Sequence, residues 1–220
     1  MKNNTFRRTE YNSRGRHVSA GTYNCIIGLV LFWGFAVNWW MVREMPFRSI
    51  EGLHPLALIL GYFVSCFIGV LLFTRSSTPL FSFIGYNFVV VPFGFIIHLV
   101  VSRYNPEIVL YAVRITGLVT LGMMLLGSLF PVFFKRVVGA LTIALIIVII
   151  VEVVDIYIFK KHHGILDWFV AVIFCGYIGY DWGRANRIPK TVDNAVDSAA
   201  SLYMDIINLF LRILRIFGRR

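Results

Sequence analysis

The chain alternates between long apolar runs and short polar segments, and this alternation constrains its fold more than any other feature. Each run is about 20 residues long, the length that an α-helix needs to cross the hydrocarbon core of a membrane. Prolines lie at or between the ends of the runs: Pro46, Pro55, Pro79, Pro106, Pro131 and Pro189. Because proline punctuates helices, the predicted spans are placed between these positions. The sequence therefore predicts an all-α integral membrane protein with seven transmembrane helices.

The predicted helices cover about 23–41, 55–74, 80–101, 107–130, 137–158, 165–181 and 195–217. Pro92 lies inside the third apolar run and should kink that helix. A basic tail at residues 1–21 precedes the membrane domain, which covers residues 22–218.

Composition narrows the classes of function. Of the 220 residues, 58% are hydrophobic and only 15% are charged, so the chain lacks the polar surface of a soluble domain. The motifs of serine hydrolases, P-loop proteins and zinc proteases are absent, so we expect neither enzymatic activity nor a cofactor. The net charge is +10, but the basic residues are scattered between apolar runs, which argues against a nucleic-acid partner.

The basic residues instead predict orientation in the bilayer. The N-terminal tail and the even-numbered loops hold about twice as many Lys and Arg as the odd-numbered loops, which predicts a cytoplasmic N-terminus. The charge count does not decide on which side of the membrane the C-terminus lies. If the last helix crosses the membrane, the C-terminal arginines lie outside, and if it is re-entrant they lie inside: Arg212, Arg215, Arg219 and Arg220. The arginine-rich tails could also anchor to anionic lipids.

Ionisable residues inside predicted spans are candidates for function, because a charge is costly in the hydrocarbon core. Arg114 and the pair Glu152 and Asp155 lie near predicted helix ends, where the side chains can reach the membrane surface. Asp205 has apolar residues on both sides, and Asn208 follows it by about one helical turn, so both should face the bundle.

Asp181 ends the sixth predicted helix and is the natural partner of Asp205. If the last two helices form a hairpin that turns near Asp193, each aspartate lies about 12 residues from the turn and the two share one depth. Two carboxylates facing each other in a low dielectric cannot both ionise cheaply, so the pair should titrate as a unit near neutrality. This arrangement predicts a proton sensor.

The C-terminal residues also resemble a known family. Tyr180 and Asp181, followed by SLYMDIINLFLRILR at residues 201–215, resemble the Bax inhibitor motif (TMBIM) family, particularly its bacterial YetJ-like branch. The resemblance implies a seven-helix fold with a central C-terminal helix, and a pH-sensitive calcium leak governed by Asp181 and Asp205. It further implies transient calcium contacts at these aspartates and an arginine latch on the first of them, for which Arg75 is the best match.

Alternative functions remain open. A non-transporting interaction protein would modulate a membrane protease or a stress response, as some members of the family are described. An intramembrane aspartyl protease ranks lower, because its Gly-x-Gly-Asp context is absent around Asp205. His162 and His163 adjoin two lysines and are interpreted as a solvated loop rather than a metal site. The branch that the chain resembles favours a bacterial plasma membrane over the endoplasmic reticulum.

Overall fold

The structure is a computed structural model that describes residues 16–45, 55–76, 78–155, 158, 160 and 164–219, with side chains in the second helix from residue 60 onward. Seven α-helices account for nearly all of this part, which contains no β-strand. They are α1 (Ala20–Glu44), α2 (Pro55–Arg75), α3 (Pro79–Val101), α4 (Pro106–Leu129), α5 (Pro131–Val154), α6 (Gly164–Ala185) and α7 (Val192–Gly218). The predicted all-α class is confirmed.

Proline defines several helix starts, because its fixed φ suits the first helical position and its missing N–H is not needed there. Pro106 and Pro131 occupy this position in α4 and α5. The predicted fifth helix, 137–158, begins too late, since α5 begins at Pro131; α5 ends at Val154, and the described residues Asp155 and Ile158 beyond it are π-helical. The last helix also begins earlier than predicted, because the Thr191 hydroxyl accepts the Asn194 N–H at 3.2 Å and caps α7.

Five helices of the described chain are long and apolar enough to cross a membrane: α1, α3, α4, α5 and α6. In α2, the described side chains of Leu60–Arg75 form a shorter apolar segment. Pro92 lies inside α3, as predicted. These helices make the chain a multi-pass membrane protein.

The last helix, α7, differs from the others in its burial. No residue between Val192 and Gly218 is exposed, and most residues of α7 are buried, with the half-buried ones concentrated in its last turn. Its covered residues include carboxylates such as Asp193 and Asp205 as well as apolar side chains. This burial agrees with the central C-terminal helix that the resemblance implies.

The chain divides into two compact units, of which unit 1 contains the residues up to Leu99 together with Arg187–Ser201. Buried hydroxyl groups in unit 1 are hydrogen-bonded. Tyr23 Oη lies 3.0 Å from Ser198 Oγ, and Tyr86 Oη donates to the Val30 carbonyl at 3.0 Å. Ser82 Oγ donates to Asp193 Oδ1 at 2.8 Å. These bonds connect α1 and α3 to the first half of α7.

Unit 2 contains Val100–Asn186 and Leu202–Arg220. Within it, α6 packs against both α4 and α5. Glycines allow the backbones of α4 and α6 to approach closely, because a methyl group on Gly183 would lie 2.7 Å from the Gly127 carbonyl oxygen.

Several residues used in the sequence analysis lie outside the described part of the chain. They include Lys2, Arg7, Arg8 and Arg14 of the basic tail, the loop residues His162 and His163, and Arg220. The predicted orientation of the N-terminus stays a prediction.

Candidate functional site

Asp181 of α6 and Asp205 of α7 lie together inside unit 2. Their carboxyl groups are close enough to interact directly. Asp205 is 8% exposed, and the Asp181 side chain is 15% exposed. Two carboxylates this close repel each other when both are ionised, so the arrangement favours a proton on one of the two groups. The structure thus brings together the two aspartates that the sequence analysis paired.

The turn between the two helices is not where the sequence predicted it. We expected it near Asp193, but α6 continues to Ala185 and Asp193 lies in the first turn of α7. Four residues of α6 after Asp181 rise about 6 Å, and 13 residues of α7 before Asp205 rise about 20 Å. The linker at 186–191 can extend by up to about 20 Å, so it can span this difference in depth.

Arg184 places a positive charge beside Asp181. Its Nη1 lies 3.5 Å from Asp181 Oδ1, one turn along α6, and 18% of its side chain is exposed. The predicted sixth helix ends at Asp181, which placed Arg184 in the following loop. Recognising that the helix continues to Ala185 would have revealed this pair from the i, i+3 spacing alone.

Polar side chains surround the two aspartates. Tyr177 interacts electrostatically with both of them, and its hydroxyl donates to Thr142 Oγ1 at 2.9 Å. Asn208 does not bond to Asp205 in the described structure, since its amide donates to the Met204 carbonyl at 2.8 Å. Asp205 Oδ2 is buried and accepts no hydrogen bond from any described residue.

Arg75 belongs to unit 1, in the last turn of α2. Its side chain is exposed and lines a recess of about 490 Å³ with Ile68, Leu71 and Phe81. Within the residues that the structure describes, Arg75 takes part in no ion pair. Its pairing with Asp181, which belongs to the other unit, stays a prediction.

A metal ion held permanently would need more ligands than the aspartate pair offers. The described chain contains no group of three or more His, Cys, Asp or Glu side chains arranged to hold a metal. Calcium usually takes six to eight oxygen ligands.

Comparison with known proteins decides the family. The family model described as "Inhibitor of apoptosis-promoting Bax1" matches residues 15–220, which is nearly the whole chain. The chain belongs to this Bax inhibitor family. It is 28% identical to Bax inhibitor 1 of Schizosaccharomyces pombe over 177 residues, covering 76% of this chain and 63% of that protein.

Other relatives of this Bax inhibitor family protein come from plants and bacteria. Protein LIFEGUARD 3 of Arabidopsis thaliana is 33% identical over 131 residues, which cover 56% of this chain and 51% of the relative. An uncharacterized membrane protein of Vibrio cholerae is 30% identical over 115 residues, covering 52% of this chain and 51% of the relative. The chain thus spans about half the length of these curated relatives.

This Bax inhibitor family protein contains a second charged cluster, which the sequence did not predict. We define the arginine cluster as Glu152 of α5, Asp167 of α6, and Arg212, Arg215 and Arg219 from the C-terminal end of the chain. Asp167, whose side chain is fully buried, forms ion pairs with all three arginines.

This cluster changes the interpretation of two residues. Assigning Arg212 to an exposed tail is wrong, since only 13% of its side chain is exposed and it pairs with Glu152 and Asp167. Glu152 is not an exposed charge either, because it binds Arg212 through both carboxylate oxygens and only 12% of its side chain is exposed. Arg114, in contrast, is exposed on α4.

Proposed function

We propose that this Bax inhibitor family protein is a calcium leak that opens when the pair of Asp181 and Asp205 gains a proton. The observation that carries the proposal is the proximity of the two carboxyl groups, of which Asp205 is buried and Asp181 is 15% exposed. Two such groups in a low dielectric bind and release protons as a unit, because ionising both at once is costly.

A proton gained or lost at this position changes the charge between two helices, α6 and α7. A difference of one pKa unit between two conformations corresponds to about 1.4 kcal/mol and changes their ratio about tenfold. The site therefore needs only a modest coupling to move the protein between closed and open states. Arg184 favours the ionised form of Asp181 from its own helix. We assign Arg75 the role of a second cation that holds Asp181 in the closed state.

Calcium is the cargo in this proposal. Carboxylate oxygens are the ligands that calcium prefers, and Asp205 Oδ2 accepts no hydrogen bond from the described residues. A site with two carboxyl groups binds the ion weakly enough for it to leave again, as conduction requires.

The test is calcium flux into proteoliposomes between pH 6 and 8. Asp181→Asn and Asp205→Asn each remove one carboxylate and should abolish the change of flux with pH. Glu107→Gln is the matched control, because Glu107 is an exposed carboxylate at the start of α4 and its loss should leave the pH profile intact. An unchanged pH response in both aspartate variants would show that the gate lies elsewhere.

A second candidate is an interaction protein that does not transport ions and that binds a membrane protease. It is favoured by the apolar exposed face of α5, where Ile143, Ile147 and Ile150 are each more than half exposed. Such a face can contact another transmembrane helix as well as lipid. Purification of a stoichiometric membrane partner, together with no flux in the isolated protein, would favour this function over the calcium leak.

A further inference from the structure

The arginine cluster contains more positive than negative charge. It combines the carboxylates of Glu152 and Asp167 with three guanidinium groups, so that among the described residues one positive charge has no carboxylate of its own. A buried or half-buried charge of this kind is costly unless an opposite charge accompanies it.

The hydrogen bonds show which arginine carries the excess. Arg212 directs both Nη atoms at Glu152 and also donates to Asp167 Oδ1 at 3.0 Å. Arg219 Nη2 lies 2.8 Å from Asp167 Oδ2. Arg215 Nη1 lies 3.5 Å from Asp167 Oδ1, and its guanidinium makes no hydrogen bond to any residue that the structure describes. Arg215 therefore keeps its donors available.

The carboxylate of Asp167 lies deeper in the protein than the guanidinium groups of Arg215 and Arg219. The Asp167 side chain is fully buried, whereas 31% of the Arg215 side chain and 35% of the Arg219 side chain are exposed. A ligand that approaches from outside therefore meets guanidinium groups, with the carboxylates underneath them.

The cluster lies at helix ends, where a membrane protein meets lipid headgroups. Asp167 is in the first turn of α6 and Arg215 is in the last turn of α7. The guanidinium of Arg219 lies beside Gly164, the first residue of α6, where a side chain would collide with it. Since the N-terminus of a helix also attracts anions, it adds to the positive potential of the arginines.

We propose that Arg215 and Arg219 bind the phosphate group of an anionic phospholipid. A guanidinium offers paired N–H donors that match two phosphate oxygens, and the phosphate supplies the negative charge that the cluster lacks. The bound lipid would hold the ends of α6 and α7 together within unit 2. This site is separate from the aspartate pair and does not depend on calcium transport.

The experiment measures thermal unfolding of the full chain in a neutral detergent. Phosphatidylglycerol is the anionic probe, phosphatidylcholine the zwitterionic comparison, and inorganic phosphate the soluble anion. Phosphatidylglycerol should raise the unfolding temperature at low concentration, and the other two should not. Arg215→Gln should raise the half-saturating concentration of phosphatidylglycerol about tenfold, as expected for the loss of a charge-assisted hydrogen-bond pair.

Arg114→Gln is the matched control, because it removes the same charge from an exposed position on α4. It should leave the half-saturating concentration within about twofold of the unmodified chain. Arg215→Lys keeps the charge without the paired donors and should weaken binding even if Arg215→Gln does not fold. Three outcomes would overturn the proposal. They are equal binding of phosphatidylglycerol by the unmodified chain and Arg215→Lys, equal losses of binding in Arg114→Gln and Arg215→Gln, and stabilisation by inorganic phosphate alone.

Discussion

Glu152 of α5 and Arg212 of α7 form a bidentate ion pair. Arg212 Nη1 bonds to Oε1 of Glu152, and Arg212 Nη2 lies 2.9 Å from Oε2. Only 12% of the Glu152 side chain and 13% of the Arg212 side chain are exposed, so the pair is largely removed from water. In this setting each charge depends on the other, because a single buried ion without its partner is strongly unfavourable.

Glu152→Gln should therefore destabilise the protein by about 3 kcal/mol, measured as the free energy of unfolding in detergent. The matched control is Glu44→Gln, which breaks an exposed pair in which Arg43 Nε lies 3.3 Å from Glu44 Oε1. Exposed pairs contribute at most about 1 kcal/mol, so the control should lose little. Similar losses in both variants would contradict the view that burial makes the inner pair important.

Gly183→Ala should separate α4 from α6, because the added methyl group would lie 2.7 Å from the Gly127 carbonyl oxygen. We expect a loss of about 1–3 kcal/mol in the free energy of unfolding. Gly122→Ala is the control, since no atom lies within 4 Å of the added methyl group and alanine favours the helix. Equal stability of the two alanine variants would contradict the close approach of α4 and α6 at Gly183.

Tyr23→Phe removes a buried hydroxyl whose oxygen lies 3.0 Å from Ser198 Oγ in unit 1. It should cost about 1–2 kcal/mol, because Ser198 loses a hydrogen-bond partner in a place that water does not reach. Tyr111→Phe is the control, since Tyr111 is 48% exposed and keeps its ring contact with Phe217 after the hydroxyl is lost. Thermal unfolding of the two variants side by side measures the difference, and equal midpoints would argue against the buried bond.

Arg184→Gln tests the electrostatics of the proposed gate. Arg184 stabilises the negative charge on Asp181, so its removal lets the pair of Asp181 and Asp205 take up a proton at a higher pH. If protonation opens the leak, the midpoint of the flux curve should move to higher pH, by up to about one unit. Arg187→Gln, which changes an exposed arginine in the next turn along the chain, should leave the midpoint in place. A shift toward lower pH would contradict the proposed sign.

The sequence allowed correct prediction of those features that depend on one segment at a time. The predicted start of α4 lies one residue from Pro106, and that of α5 lies six residues after Pro131. Of the seven predicted spans, apolar run lengths identified the five helices of the described chain that are long and apolar enough to cross a membrane. The pairing of Asp181 with Asp205 was also predictable, because both stand out as acidic residues at the end of or within apolar runs of adjacent helices.

The arginine cluster could not be found in this way. Its members come from α5, α6 and α7, and no spacing along the chain indicates that the ends of these three helices meet. Asp167 lies at the start of a helix, where a carboxylate is ordinary in a sequence. Arg212 resembled a membrane-surface charge because it follows a long apolar run. Only the three-dimensional packing distinguishes a buried ion pair from a charge at the end of a helix.

The burial of most of α7 has a consequence for how the protein is made. The ribosome synthesises α7 after the six helices that precede it, and its two halves contribute to different units. Because each unit needs part of α7, neither unit is complete while only the earlier helices are in the bilayer. Because α7 is not among the segments apolar enough to insert by themselves, its entry should depend on the helices already present. Assembly of this protein is then a late, cooperative event rather than a helix-by-helix one.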